Sequence, residues 1–148
     1  MEMHNKSNIE TVLAFDFGLK QIGIAFGQTI TNQSTGIKII KAKNGVPNWD
    51  EIKTIVEEWN PNTLVVGLPI SMDDSESEMS SLTRTFAKGL KDRIHNSVKL
   101  MDERLSSREA NNKVKEVFKN FDTNKTDNSA AAFILQSYLN DPKLAESC

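Results

Sequence analysis

The chain has 148 residues, 38% hydrophobic and 26% charged, with a formal net charge of −2. That composition fits one globular domain with a core of its own and leaves no length for a second lobe. No apolar run approaches the ~20 residues of a membrane span, the opening MEMHNKSNIE has no apolar signal stretch, and the single cysteine, Cys148, excludes a disulfide framework within one chain. The expectation is a cytoplasmic protein with no membrane association.

Residues 1–10 read as a disordered polar tail. Thr11 to Phe17 is apolar and β-branched, the composition of a buried central strand. Gly18 to Lys20 makes a turn, Ile22 to Gly27 a second strand of a hairpin, and Gln33 to Ala42, with Ile37, Ile39 and Ile40, a third strand. Asn48 or Asp50 opens an amphipathic helix to about Trp59, which Pro61 terminates. Thr63 to Gly67 is the kind of short apolar strand that is buried on both faces. Pro69 and the acidic stretch Asp73 to Glu78 leave the sheet as a loop, and Ser75 with Glu78 reads as a capping box for a helix reaching Ile94. Val98 to Met101 is another strand. Ser106 with Glu109 repeats the capping box for a helix to Phe118, Thr126 can cap a last helix to Leu139, and residues 141–148 read as a frayed, flexible tail. Three leading strands followed by alternating helices and strands predict an α/β domain over residues 11–140, a mixed β-sheet flanked by helices.

The charge is unevenly placed. Arg84 to Lys125 holds eleven Lys or Arg against six Asp or Glu, and the rest of the chain seven against fourteen. Arg104, Arg108, Lys113, Lys115 and Lys119 belong to this basic stretch, which either forms a face for phosphates or solvates two amphipathic helices; on charge alone the two readings stand level.

Asp16 ends an apolar strand, where an unpaired carboxylate has no stabilising use. Glu103 lies just past the Val98 to Met101 strand, and Asp127 in the first turn of the last helix. A mixed sheet can bring these three ends together. Two carboxylates ~4 Å apart repel by ~4 kcal/mol at an effective dielectric near 20, and a divalent cation, magnesium or manganese, reverses that sign. A pair of such ions can activate a water and stabilise the leaving oxygen of a phosphodiester. Each residue also has a plainer reading: Asp16 as a turn aspartate, Asp127 as a helix-dipole partner, and one of Asp102 and Glu103 as an ion-pair partner of Arg104 or Arg108, since neighbours on a strand point oppositely. Ala130, Ala131 and Ala132 would let the last helix approach the sheet. His4 and His95 lack the partners of a catalytic or zinc-binding histidine, and Trp49, Trp59 and Tyr138 read as packing residues.

Four segments, Asp16 to Ala25, Val65 to Pro69, Asp102 to Leu105 and Asp127 to Leu139, together resemble the motifs of the bacterial YqgF family, also called RuvX. The glycines Gly18, Gly23 and Gly67 and Pro69 are the structural members of that pattern. The resemblance implies a ribonuclease H-like fold and a nuclease that matures the 5′ end of the 16S ribosomal RNA precursor; an older reading of the family is a Holliday-junction resolvase acting on branched DNA. It carries the acidic site over to Asp16, Glu103 and Asp127, the carboxylates read above as holding Mg2+ or Mn2+, as two ions; with no heptad seam and no long apolar helix surface to announce an obligate dimer, the expectation is a monomer or weak homodimer. Gln21 stands where the family usually has arginine, which leaves a phosphate contact to Lys20; Asp74 replaces a glycine and Ser129 an apolar residue. Asp16, Gly18 and Gly23 also resemble the phosphate loop of actin-like ATPases, which need two lobes. A non-catalytic RNA-binding or transcription-associated module is the alternative from another class.

Overall fold

The computed structural model describes residues 9–70, 75–103 and 129–148. The expected helix from Ser106 to Phe118, the cap Thr126, and the candidate residues Arg104, Arg108, Lys113, Lys115, Lys119 and Asp127 lie outside the described residues.

The strands are β1 (Thr11–Asp16), β2 (Gln21–Gln28), β3 (Gln33–Lys43), β4 (Val46–Pro47), β5 (Thr63–Leu68), β6 (Val98–Asp102) and β7 (Glu146–Ser147); the helices are α1 (Trp49–Trp59), α2 (Glu78–Arg93) and α3 (Ser129–Asn140). They form one sheet in the order β4-β3-β2-β1-β5-β6-β7. β1 runs antiparallel to β2 and parallel to β5, which runs parallel to β6. β1 and β5 are the central strands, and all six residues of β5 are buried.

Side-chain alternation along the strands divides the core in two. On one face Leu13, Phe15, Ile24 and Val66 pack against Ile52 and Ile55 of α1 and Phe86 and Leu90 of α2. On the other, Val12, Ala14, Ala25, Val65 and Met101 pack against Ala131, Ala132, Ile134 and Leu135 of α3. The small side chains at positions 14, 25, 131 and 132 allow this close approach; Ala130, expected to share it, is exposed.

Helix starts follow local chemistry with one exception. The Asn48 side chain accepts hydrogen bonds from the amides of Asp50 and Glu51, and α1 ends at Asn60 in the left-handed region (φ 47°), just before Pro61. The start of α2 corrects the sequence reading. Its capping pair is Ser77 and Ser80, whose hydroxyls bond each other's backbone amides, rather than Ser75 and Glu78. The Ser80 hydroxyl also donates to the Pro69 carbonyl, which ties the helix to the end of β5 and sets the start two residues later.

Two features are additional. Asn44 (φ 53°) and Gly45 (φ 84°) make a two-residue turn of the I′ kind that folds β4 back onto β3, pairing Lys43 with Val46. Residues 141–148, expected as a frayed tail, instead form a 3-10 turn and the edge strand β7, which pairs Ser147 with Lys99 and Glu146 with Leu100. The open edge of β6 supplies the partner that the local sequence does not reveal.

The packing of Trp49 yields a test. This ring stacks on Phe86 at 5.7 Å between centroids, with the Arg93 guanidinium 5.1 Å over it. An alanine in a helix interior is normally worth ~1 kcal/mol over glycine. At Gly89 the added Cβ would lie 2.6 Å from the Trp49 ring. Gly89→Ala is therefore expected to destabilise by about 1–2 kcal/mol in urea denaturation. In a Trp49→Leu background the same change should become neutral or stabilising.

Candidate active site

Asp16 is the last residue of β1, and its neighbours on both adjacent strands are glycines. It registers with Gly23 of β2, and the Phe15–Val66 pairing places Gly67 of β5 beside it on the other flank. The register continues outward, with Gly67 opposite Met101 of β6. Strand alternation sets Asp16, Gly23, Gly67 and Met101 on the face that α3 covers, since Val12, Ala14, Val65 and Met101 all pack there.

Glu103, one residue beyond β6, sends its carboxylate back over Gly67. A Cβ built on Gly67 would lie 2.9 Å from Glu103 Oε1 and closer still to Ile134 Cδ1, so any larger residue would displace the carboxylate or the helix. Asp102 registers with Leu68, a residue of the opposite core, so of the two adjacent acids it is Glu103 that faces Asp16. Gly18 begins the β1–β2 turn, where a side chain would collide with the Gln21 carbonyl, and the Pro69 carbonyl anchors α2.

The electrostatics follow from this confinement. Burial raises the Asp16 carboxyl above its ordinary value. Glu103 is pushed up to about 7, first by burial, then by the charge of Asp16, then by that of Asp102. Without a counter-charge the pair thus relieves its repulsion by keeping a proton near neutral pH. Among the described residues no Lys or Arg forms an ion pair with Asp16, and no group of three or more His, Cys, Asp or Glu is arranged as a metal site. Asp16 and Glu103 are thus two carboxylates crowded together without a cationic partner at Asp16 among the described residues.

The other candidates are placed as follows. Lys20 is exposed in the turn after Asp16, and its carbonyl accepts from the Ala42 amide at 2.8 Å. His95 is structural: its ring contacts the Pro61 carbonyl and accepts from the Ser97 amide. Trp59 packs on Phe26, and Tyr138 is buried against the sheet. Sequence reasoning passed over the end of β3, where Ile39 registers with Gly23 and Lys41 with Gln21. The available signal was the Asn44-Gly45 pair, which marks the β3–β4 hairpin; the face of the β3 side chains is set by the register of β3 on β2.

A family model described as "RuvX: Holliday junction resolvase" matches residues 10–141. A Mannheimia succiniciproducens protein named "putative pre-16S rRNA nuclease" is 45% identical over 128 residues, covering 85% of this chain and 91% of the relative. A Coxiella burnetii protein of the same name is 43% identical over 131 residues, covering 88% and 93%. Among solved structures, Thermus thermophilus RuvC in complex with a Holliday junction substrate aligns with a TM-score of 0.58 at 10% identity, over 94% of this chain and 99% of that one. The fowlpox virus resolvase in complex with Holliday junction DNA aligns with a TM-score of 0.54 at 15% identity, over 90% and 99%. At such identities these two structures establish the ribonuclease H-like fold.

The raised Glu103 carboxyl predicts a pH dependence. Its folded value of about 7 exceeds the ordinary 4.5, so the proton favours the folded state. That contribution is complete below pH 4.5 and is lost as pH rises to about 7. Glu103→Gln escapes the loss. In urea denaturation with a chelator it should be more stable than the parent by about 3 kcal/mol at alkaline pH. The advantage should vanish below pH 4.5.

Proposed function

The chain belongs to the RuvX family, and we propose that it cleaves the single-stranded RNA flanking the 5′ end of precursor 16S ribosomal RNA, using a divalent cation held by Asp16 and Glu103. Family and relatives agree on a nuclease, a hydrolase acting on phosphodiester bonds; they differ on the substrate. The relatives above 40% identity carry the RNA name, while the structures with junction DNA share the fold at 10–15% identity. The observation that carries the reading is the convergence of two carboxylates, from β1 and from the end of β6, across Gly67.

The residues fit a hard cation. They offer oxygen donors only, and their like charges are crowded in a half-buried place that favours an added positive charge. Asp127, outside the described residues, is the third ligand in this reading, and Mg2+ or Mn2+, as a pair of ions, the cofactor. Once bound, the cation supplies an activated water and charge stabilisation at the phosphodiester. Asp16 is held by a strand whose neighbours are buried, so its carboxylate is already oriented before substrate arrives. Gly67, with no side chain of its own, leaves the room that the Glu103 carboxylate occupies beside Asp16. Lys20 contributes a cation at the mouth of the same turn. In this reading a monomer or weak homodimer suffices, because one strand is cut at one site.

The test sets a precursor 5′ leader RNA against a synthetic four-way DNA junction, with magnesium, manganese or chelator. The leader should be cut only with metal, and Asp16→Asn should lower the rate by about 10²-fold or more. Metal should raise the melting temperature of the parent but not of Asp16→Asn. Paired symmetric nicks in the junction by a stable dimer, with the leader intact, would assign the chain to resolvase chemistry. Binding of the leader without cleavage under any metal would assign it to a non-catalytic module.

A further inference from the structure

From Phe17 to Trp49 the chain carries four lysines, Lys20, Lys38, Lys41 and Lys43, and no acid. This segment is a basic island beside the acidic site, within a chain of net charge −2. The structure sorts its lysines by face. Lys38 points toward α1 and lies 3.8 Å from Glu51. Ile40 and Ala42 belong to that same core, so Ile39, Lys41 and Lys43 alternate onto the face that carries Asp16. Lys41 and Lys43 are exposed and form no ion pair among the described residues.

The geometry connects this surface to the carboxylates without a gap. Asp16, Gly23 and Ile39 form one row across β1, β2 and β3, and Gln21 with Lys41 forms the next. Two strand spacings, about 10 Å, separate the Asp16 backbone from that of β3. Val46 pairs with Lys43, so it shares that face, and it is 61% exposed. The Gly45 amide donates to the Leu19 carbonyl at 2.9 Å and the Ala42 amide to the Lys20 carbonyl at 2.8 Å, which pins the hairpin to the turn that follows Asp16.

We propose that this ledge, made of Ile39, Lys41, Lys43 and Val46, is a docking track for single-stranded RNA running into the Asp16 site. Lys41 and Lys43 contact its phosphates, and Ile39 and Val46 its sugars and bases. The proposal rests on the nuclease reading above for the identity of the strand; its physical basis is an acid-free segment whose exposed lysines stand beside the Asp16 row. Phosphate contacts dominate such binding and make it salt-dependent, whereas an apolar contact tolerates any sequence. Ordinary edge protection is the competing explanation, because lysines also keep a sheet edge, here β4 with the end of β3 that it pairs, from joining other chains.

The experiment measures fluorescence anisotropy of a labelled single-stranded RNA on the full chain, in the Asp16→Asn background so that cleavage plays no part. Lys41→Glu/Lys43→Glu should weaken binding by about tenfold or more near 0.1 M salt and reduce the salt slope by about 1.4, two contacts' worth. Lys53→Glu, on the exposed side of α1, should leave both within about twofold. Melting curves verify that the double variant is folded. Unchanged affinity and slope would overturn the ledge and assign these lysines to edge protection. Weakened binding to a four-way DNA junction with RNA binding intact would overturn it as well. Cleavage by the parent is scored separately: a parent that cleaves while the double variant binds normally sinks the ledge and leaves the nuclease reading standing. A parent that never cleaves, with the binding loss observed, sinks the nuclease reading and supports the ledge.

Discussion

Glu103 can face Asp16 only because Gly67 stands between their strands. β5 separates β1 from β6, and at the row where the two carboxylates meet it offers no side chain. A methyl group there would collide with Ile134 on α3 and with the Glu103 carboxylate together. One missing side chain thus sets two distances, that of the helix from the sheet and that of one acid from the other. The cost is electrostatic: two acids are kept in a half-buried place where the second resists ionisation. The cation proposed above would offset that cost.

The rest of the fold holds that row still. The face against α1 and α2 is built from bulky residues such as Phe15, Ile24, Ile52 and Phe86, which make the sheet rigid from behind. The face against α3 is built from alanines and medium-sized aliphatics, so the helix can lie close over the end of β1. Pro69 links the two sides. Its residue closes β5 next to the site, and its carbonyl receives the Ser80 hydroxyl that starts α2. Strand end, helix start and acidic row are therefore placed by one short segment.

Net charge conceals the electrostatic design. A value of −2 suggests indifference to nucleic acid, yet the first hairpin region from Phe17 to Trp49 has lysines and no acids. Only side-chain direction shows the use of that charge: Lys38 is directed to Glu51 on α1, while Lys41 and Lys43 stand on the Asp16 face. The row that carries Asp16 and the row that carries Lys41 are adjacent, which is the placement the proposed docking track requires.

Much of the chain was legible from its residues. An apolar β-branched run ending in Asp16, the Asn48 cap before α1 and the wholly buried β5 are local signals, because burial on a pleated strand and capping of free amides depend on neighbours in sequence. The four motifs in order were sufficient for the family. Other features required the folded chain. Ser75 with Glu78 and Ser77 with Ser80 are equally plausible caps by spacing, and the Pro69 carbonyl, distant in sequence, selected the second pair. Strand β7 exists because β6 leaves an open edge, which nothing in residues 141–148 announces. The Asn44-Gly45 turn was written in the sequence, but the face it assigns to Lys41 and Lys43 follows from the register of β3 on β2. Composition and local pattern thus determined the main strands, the α1 cap and the acids that end β1 and follow β6. The strand order β1-β5-β6 alone decided that Asp16 and Glu103 meet, because contact between residues far apart in sequence is set by how the sheet is assembled and by which position in the intervening strand lacks a side chain.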